Sequence, residues 1–463
     1  MTTLKETKNQ KTTLNKEEKT MINLKAKERE AFKNVIGYDS IKSELMVISD
    51  MFLNKEAYDE IGARLPHGIM IAGEPGLGKT LLSNCFIKGC GCTSFLIKND
   101  RLNDDLIKNI TNVFEEAKKT ADSGESCIIF FDDLDKFAEG TRNDDKKIFV
   151  NIQSLIDGVN DKRILILATV NNILKLPKSL TREGRFDKIF TLRTPSSEDA
   201  MKIIKYYLTE KKVSSSLNYE DVSKMVSYHS CAMLETLINN SAIRAKYNRR
   251  KEIIMEDIVL TYIGKELSLA KDNEDENNES IIEDDKDMEN KKVLALHEAG
   301  HIVVSEILVP NSVGFAHLFN CFEGYTSLCK DLGRRPFLVL GALAGKAACE
   351  LFDKGRPASG CDSDLNRAYN LIMEGISSNA THGYQSLYDK FSEGRPSDIL
   401  LFINESIVRA ELQRNDYLVK DILMKNKDFL FKIRDLLLKK GYICYSDIQK
   451  IKKETKITSY EIY

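Results

Sequence analysis

From about Asn34 to Pro195 the chain alternates short, uninterrupted apolar runs with amphipathic stretches. Gly68-Ile69-Met70-Ile71-Ala72, Cys127-Ile128-Ile129-Phe130-Phe131 and Ile164-Leu165-Ile166-Leu167-Ala168 read as buried strands, and segments such as Leu106 to Lys119 carry a helical period. Strands that alternate with helices predict a parallel, doubly wound α/β sheet. From Ser197 to about Leu269 the strands stop and amphipathic helices follow one another, which predicts a small helical subdomain. From Lys291 to Gly441 the pattern is mainly α-helical, with one candidate short strand near Gly324-Tyr325-Thr326.

At 463 residues the chain is longer than one hydrophobic core usually serves, so two or three domains are expected. Lys271 to Asn290 holds ten Asp or Glu against two Lys, too polar to bury itself, and reads as a solvated linker. The first thirty residues mix Lys, Thr, Asn and Glu with no apolar run, so they are neither signal peptide nor anchor. No segment reaches the ~20 apolar residues that a membrane span needs. A net charge of −2 offers no basic stripe for nucleic acid. The ten cysteines follow no disulfide or zinc-knuckle spacing, which fits a reduced, cytoplasmic setting.

Two motifs carry chemistry. Gly73-Glu74-Pro75-Gly76-Leu77-Gly78-Lys79-Thr80 fits G-x-x-x-x-G-K-[ST] directly after a strand and before a helical run. The glycines let backbone amides converge on phosphate at a helix N-terminus. Lys79 would reach the outer phosphates of ATP, and Thr80 would sit on Mg²⁺. The strand ending at Phe131 delivers Asp132, placed to hold the Mg²⁺ water shell, and Asp133, placed to polarise the attacking water. Two acids after a strand mean little alone; beside a phosphate loop they gain weight.

His297-Glu298-Ala299-Gly300-His301 is H-E-x-x-H within an apolar-periodic helix from about Lys291 to Leu308. A spacing of four puts both imidazoles on one face, able to share one Zn²⁺, with Glu298 placed to take a proton from the metal's water. A catalytic zinc takes a third protein ligand and keeps a position open. No third His follows at the extended-motif spacing.

The residues now on the page resemble the FtsH-type ATP-dependent zinc metalloproteases. Ile61 to Gly68 running into the phosphate loop is similar to that family's AAA domain, and Asn34 to Asp39 is similar to the segment, here with Ile36 and Gly37, that packs against adenine. By the same resemblance Asn171 is the polar sensor of the γ-phosphate. Arg182 and Arg185, in Arg182-Glu183-Gly184-Arg185-Phe186-Asp187, are the arginine fingers of a ring, by family a homo-hexamer. Ala358 to Ala368 resembles the segment whose aspartate is the third zinc ligand, which falls on Asp364; Asp362 and Glu350 are the alternatives.

The chain also departs from the family. The family's amino-terminal membrane anchor is not expected from these residues, and Asp133 replaces the usual Glu. Ile97 to Lys108 shows no aromatic pore loop, and Ser230-Cys231-Ala232 replaces a Ser-Gly-Ala. The resemblance implies a Zn²⁺- and ATP-dependent endopeptidase acting on unfolded or flexible polypeptides. The expected order is a polar tail (1–31), an AAA+ α/β nucleotide domain (32–196), a helical lid (197–269), an acidic linker (270–290), a zinc peptidase domain (291–450) and a short tail (451–463).

Overall fold

The computed structural model describes residues 30–98, 106–138, 142–159, 163–182, 184–264, 285–318, 324–353, 361–379 and 398–460. The polar tail, most of the acidic run and the segment 99–105 at the expected pore loop lie outside the described residues. The chain folds as two compact units divided after Pro195, with Ser230–Met233 belonging to the first.

The first unit opens with helices α1 (Asp39–Leu53) and α2 (Lys55–Glu60), then alternates strands and helices. These are β1 (Gly68–Ala72), α3 (Lys79–Cys90), β2 (Thr93–Ile97), α4 (Leu106–Asp122), β3 (Cys127–Phe131), α5 (Arg142–Asp157), β4 (Ile164–Val170) and β5 (Lys188–Thr191), with a 3₁₀ turn at Leu134–Ala138 after β3. All pair in parallel, in the order β2-β3-β4-β1-β5. The three strands legible in the sequence are the three central ones, and every residue in them is buried.

Successive side chains of those strands point to opposite faces, so each feeds two cores. Met70, Ile129, Phe131 and Ile166 pack with Ile110, Phe114 and Ile152 from α4 and α5. Ile69, Ile71, Phe130 and Leu165 pack with Leu45, Phe52, Leu82 and Phe86 from α1 and α3. The doubly wound sheet follows directly, because a strand buried on both faces needs helices on each side.

The second unit begins with α6 (Ser197–Leu208), α7 (Tyr219–Met225), α8 (Cys231–Tyr247, its first turn lying with the first unit) and α9 (Met255–Tyr262). Side-chain oxygens of Ser196 and Asn218 cap α6 and α7, accepting from amides of the first turn. Then follow α10 (Asp285–Leu308), β6 (Val313–Leu318), β7 (Gly324–Leu328), α11 (Arg335–Phe352), α12 (Cys361–Asn379), α13 (Asp398–Lys425), α14 (Lys427–Lys440), β8 (Tyr442–Cys444) and α15 (Tyr445–Lys453). Helix α10 starts at Asp285, within the acidic run and ahead of Lys291.

The candidate strand near Gly324 is β7, and it belongs to an antiparallel sheet of order β7-β6-β8. Both β6 and β8 escaped the sequence reading: β6 is almost wholly buried and shows no alternation, and β8 is three residues long. Helix α7 packs within this unit through Asp221, whose carboxylate accepts from the Ser446 amide at 2.7 Å and from its hydroxyl at 2.6 Å. The Tyr262 ring meets Phe315 of β6 edge-on at 5.6 Å. Among the described residues, no helix is long and apolar enough to cross a membrane.

Two glycines let α10 and α11 approach. A Cβ at Gly300 would lie 2.5 Å from the Ala344 carbonyl, and one at Gly345 would lie 2.6 Å from Nε2 of His297. That close approach presses the histidine face of α10 against a helix backbone and fixes where the imidazoles stand.

Candidate functional site

In the first unit, the turn between β1 and α3 bends back through residues that only glycine fits without strain: Gly76 and Gly78 have φ of 80° and 87°. Ser230 and Ala232 seat directly on Gly76, and the Ala232 amide donates to its carbonyl at 3.1 Å. Glu74 and Pro75 form the exposed tip, while Leu77 is buried. Lys79 is 6% exposed and its Nζ donates to the carbonyls of Gly73 and Glu74, each at 2.8 Å. Burial lowers the pKa of this ammonium, while the charges of Asp133, Asp135 and Asp132 oppose the shift. Tyr38, left-handed at φ 56° and directly after Ile36 and Gly37 in the chain, reaches the loop itself, its hydroxyl meeting the carbonyls of Leu77 at 3.3 Å and Arg193 at 2.8 Å.

Thr80 Oγ1 and Thr169 Oγ1 both donate to Asp132 Oδ1, at 2.9 and 2.8 Å, so the proposed Mg²⁺ pair stands together. Asp133 sits in the left-handed region at φ 55°, its amide donating to Thr169 Oγ1 at 2.8 Å. Asn171 Nδ2 donates to Asp133 Oδ1 at 3.0 Å, and Lys136 pairs with Oδ2 at 2.6 Å. Asp135 accepts the amides of Asn171 and Asn172, at 3.0 and 3.1 Å, and locks the end of β4 to the turn after β3. The two arginines differ. Arg182 is exposed, whereas Arg185 is buried and makes a bidentate pair with Asp157 at 2.8 and 2.7 Å, with Nη1 donating to the Ser179 carbonyl at 2.7 Å.

In the second unit, His297, Glu298 and His301 project from α10 and Asp364 from the first turn of α12. Nε2 of His297 and Nε2 of His301 stand 3.1 Å apart, and Asp364 Oδ2 lies 3.1 and 3.0 Å from them. Three electron-pair donors converge on one point, and among the described residues this is the one cluster of metal-ligating type. A tetrahedral zinc with bonds near 2.0–2.1 Å spaces its ligand atoms by about 3.3 Å, so the triangle fits that ion with a slight opening. Burial disfavours charge on Asp364, but hydrogen bonds from His297 and His301 outweigh it and hold the carboxyl far below its usual range. A divalent cation takes the place of those protons. Of the alternatives, Asp362 is exposed, and Glu350 is paired with Lys346 and with Lys420, the latter at 2.6 Å.

Two of the site residues are held from behind. His301 Nδ1 donates to the Gly341 carbonyl at 2.8 Å, which leaves Nε2 for the metal. Glu298, 4% exposed, takes a 2.6 Å hydrogen bond from the Thr326 hydroxyl on β7. Gly324 of the same strand leaves room for that carboxylate, because a Cβ there would lie 2.6 Å from Oε1. The centre opens into a cavity of about 240 Å³ with an apolar wall including Leu328, Leu332 and Leu338 and a polar side at Ser363 and Arg367.

The model for the AAA family, "ATPase family associated with various cellular activities", matches residues 69–194, from β1 to just past β5. The chain is 26% identical to the ATP-dependent zinc metalloprotease FtsH 2 of Thermoanaerobacter sp., covering 91% of this chain and 83% of that one. It is 26% identical to FtsH 2 of Salinibacter ruber over 92% of this chain and 65% of the relative. It is also 26% identical to FtsH of Malacoplasma penetrans over 89% of this chain and 53%, about half, of the relative. These similarities run through both sites in the order in which the chain carries them: residues 69–194 match the AAA model, and about nine-tenths of the chain is similar to FtsH-type zinc metalloproteases.

Proposed function

We propose that the chain is an ATP-dependent zinc endopeptidase that cuts unfolded or flexible polypeptides. The observation that carries this reading is the convergence of His297, His301 and Asp364 with Glu298 beside them, on one chain with a phosphate loop backed by Asp132 and Thr80. Zinc bound there supplies Lewis acidity toward a peptide carbonyl and a water acidified toward pKa of about 7. The chain's own residues do the rest. Glu298 accepts the water's proton and returns it to the leaving amine. Thr326 holds its carboxylate, and the apolar wall receives a side chain of the bound peptide while keeping bulk water out.

On the nucleotide side, Lys79 and the loop amides bind the phosphates of ATP, Thr80 and Asp132 hold Mg²⁺, and Asp133 with Asn171 orients the attacking water. Exposed Arg182 is the better-placed finger for a neighbouring subunit, since Arg185 is committed to Asp157. A homo-hexameric ring in the cytoplasm is the assembly we infer.

Casein cleavage followed with and without ATP tests the reading. The unmodified chain should cut in an ATP-stimulated manner, and Glu298→Gln should bind zinc normally and cut nothing. Cleavage at normal rate by Glu298→Gln would overturn the peptidase assignment.

A further inference from the structure

For His297 to offer Nε2 to a metal, its proton must sit on Nδ1, and a buried N–H needs an acceptor. His301 has one in the Gly341 carbonyl. His297 is 2% exposed, and its Nδ1 faces a sulfur instead: Cys361 Sγ, at 3.7 Å. Cys361 is itself buried, so solvent does not substitute. The ring's neighbour at Gly345 is a residue with no side chain, which leaves space for the imidazole and offers no side-chain acceptor from that position.

Cys361 and Asp364 are both in the first turn of α12, three residues apart and therefore on one face. Asp364 Oδ2 meets Nε2 of His297, and Cys361 Sγ meets the ring's other nitrogen, Nδ1. One helix turn thus grips the first histidine from both sides. We propose that Cys361 is a positioning residue of the metal centre, its sulfur accepting the Nδ1 proton of His297 and so fixing the tautomer and the ring angle for zinc. Sulfur is a weak acceptor with a long reach, and the separation here is one that sulfur spans and a carbonyl oxygen does not. Because Sγ lies behind the ring, it orients the ligand and does not bind the metal.

The inference rests on the metal centre proposed above, and zinc affinity tests it without recourse to catalysis. Full-length Cys361→Ala, Cys361→Val and Cys361→Ser chains are compared with the unmodified one by competition for zinc against a chromophoric chelator, with metal-free thermal unfolding as the folding control. Losing a group that orients a metal ligand costs about 10–100-fold in metal affinity, so Ala and Val should weaken zinc binding by that range. Val keeps the bulk without the acceptor, and the Ser hydroxyl, on a shorter bond than C–S, does not reach Nδ1, so both should bind zinc more weakly. Unchanged affinity in Cys361→Val or in Cys361→Ser would reduce Cys361 to packing and overturn the proposal. A sulfur-to-metal charge-transfer band in the cobalt-loaded unmodified chain would overturn it too, by making the thiolate a ligand. Failure of the unmodified chain to bind zinc would overturn the metal centre itself, and this inference with it.

Discussion

Thr326 Oγ1 donates a 2.6 Å hydrogen bond to Glu298 Oε2, joining a strand to the residue placed as general base on a helix 28 positions earlier in the chain. Position along the sequence gives no hint of the pairing, because it depends on β7 passing over α10. Thr326→Val keeps the shape and removes the donor. A freely rotating carboxylate loses alignment, and misplacement by about 1 Å can cost ~100-fold, so peptide turnover should fall by ten-fold or more. Zinc content should stay at the unmodified level, measured by metal analysis on the same preparation.

Gly345→Ala should damage the metal centre from a helix that supplies no ligand. The added Cβ would come within 2.6 Å of the His297 Nε2 atom, forcing the imidazole off the point it shares with His301 and Asp364. Zinc affinity should drop by at least about ten-fold, as it does when the support of a metal-binding histidine is lost, while ATP binding to the first unit is unchanged. A fully zinc-loaded Gly345→Ala chain would contradict this.

Removing the metal should separate the two activities. A chelator should stop casein cleavage completely and leave nucleotide binding intact, since every ligand of the metal lies in the second unit and every phosphate-loop residue in the first. Addition of Zn²⁺ should restore cleavage. Nucleotide affinity that falls with the metal would show the sites to be energetically linked.

Both carboxylate oxygens of Asp133 are engaged, one by Asn171 and one by Lys136. Asp133→Glu adds a methylene and moves the carboxylate toward the phosphate loop. ATP turnover should rise by about ten-fold, a change that sub-ångström realignment of a water-orienting group can supply. Asp133→Asn should abolish turnover and preserve ATP binding. Steady-state hydrolysis with separately measured nucleotide affinity distinguishes the two.

Arg182→Ala and Arg185→Ala should fail differently. Loss of exposed Arg182 should leave the fold intact and lower ATP turnover only where subunits assemble. Loss of Arg185 removes a buried bidentate pair with Asp157, and hydrogen bonds to charged groups contribute about 1.5–3 kcal/mol; half-exposure of Asp157 puts this case at or below the low end. The guanidinium holds the Asp157 carboxyl below its usual range. That contribution is therefore complete above the ordinary aspartate pKa of about 4 and fades as pH falls through the depressed value. Thermal unfolding at neutral pH and in acid should show the Arg185→Ala deficit shrinking toward low pH.

Legibility followed burial. The central strands β1, β3 and β4 are sealed on both faces, so their sequences are continuous apolar runs that are easily read. The edge strands escaped because Thr93–Ile97 is mostly exposed and Lys188–Thr191 only partly covered. Motifs of short spacing, Gly73 to Thr80 and His297 to His301, carried their own geometry. Asp364 is 63 residues from His301 and was reachable only through resemblance, with Asp362 and Glu350 still open. The partners that steady these groups, Thr326, Gly341, Cys361, Thr169 and Asp135, meet them through tertiary packing and have no local signature.

The sheet order β7-β6-β8 has a consequence for the chain's birth. Strand β8, Tyr442–Cys444, pairs with β6 only after more than a hundred further residues have followed the histidine helix out of the ribosome. Folding during synthesis proceeds from the amino terminus at roughly 5–20 residues per second, so the first unit can be complete for many seconds while the second lacks a wall. Until Ser446 arrives, Asp221 has no hydroxyl to receive, and β6 has a bare edge. The second unit is the last part of this molecule to harden, and a nascent chain carries His297 and His301 well before their surroundings are set.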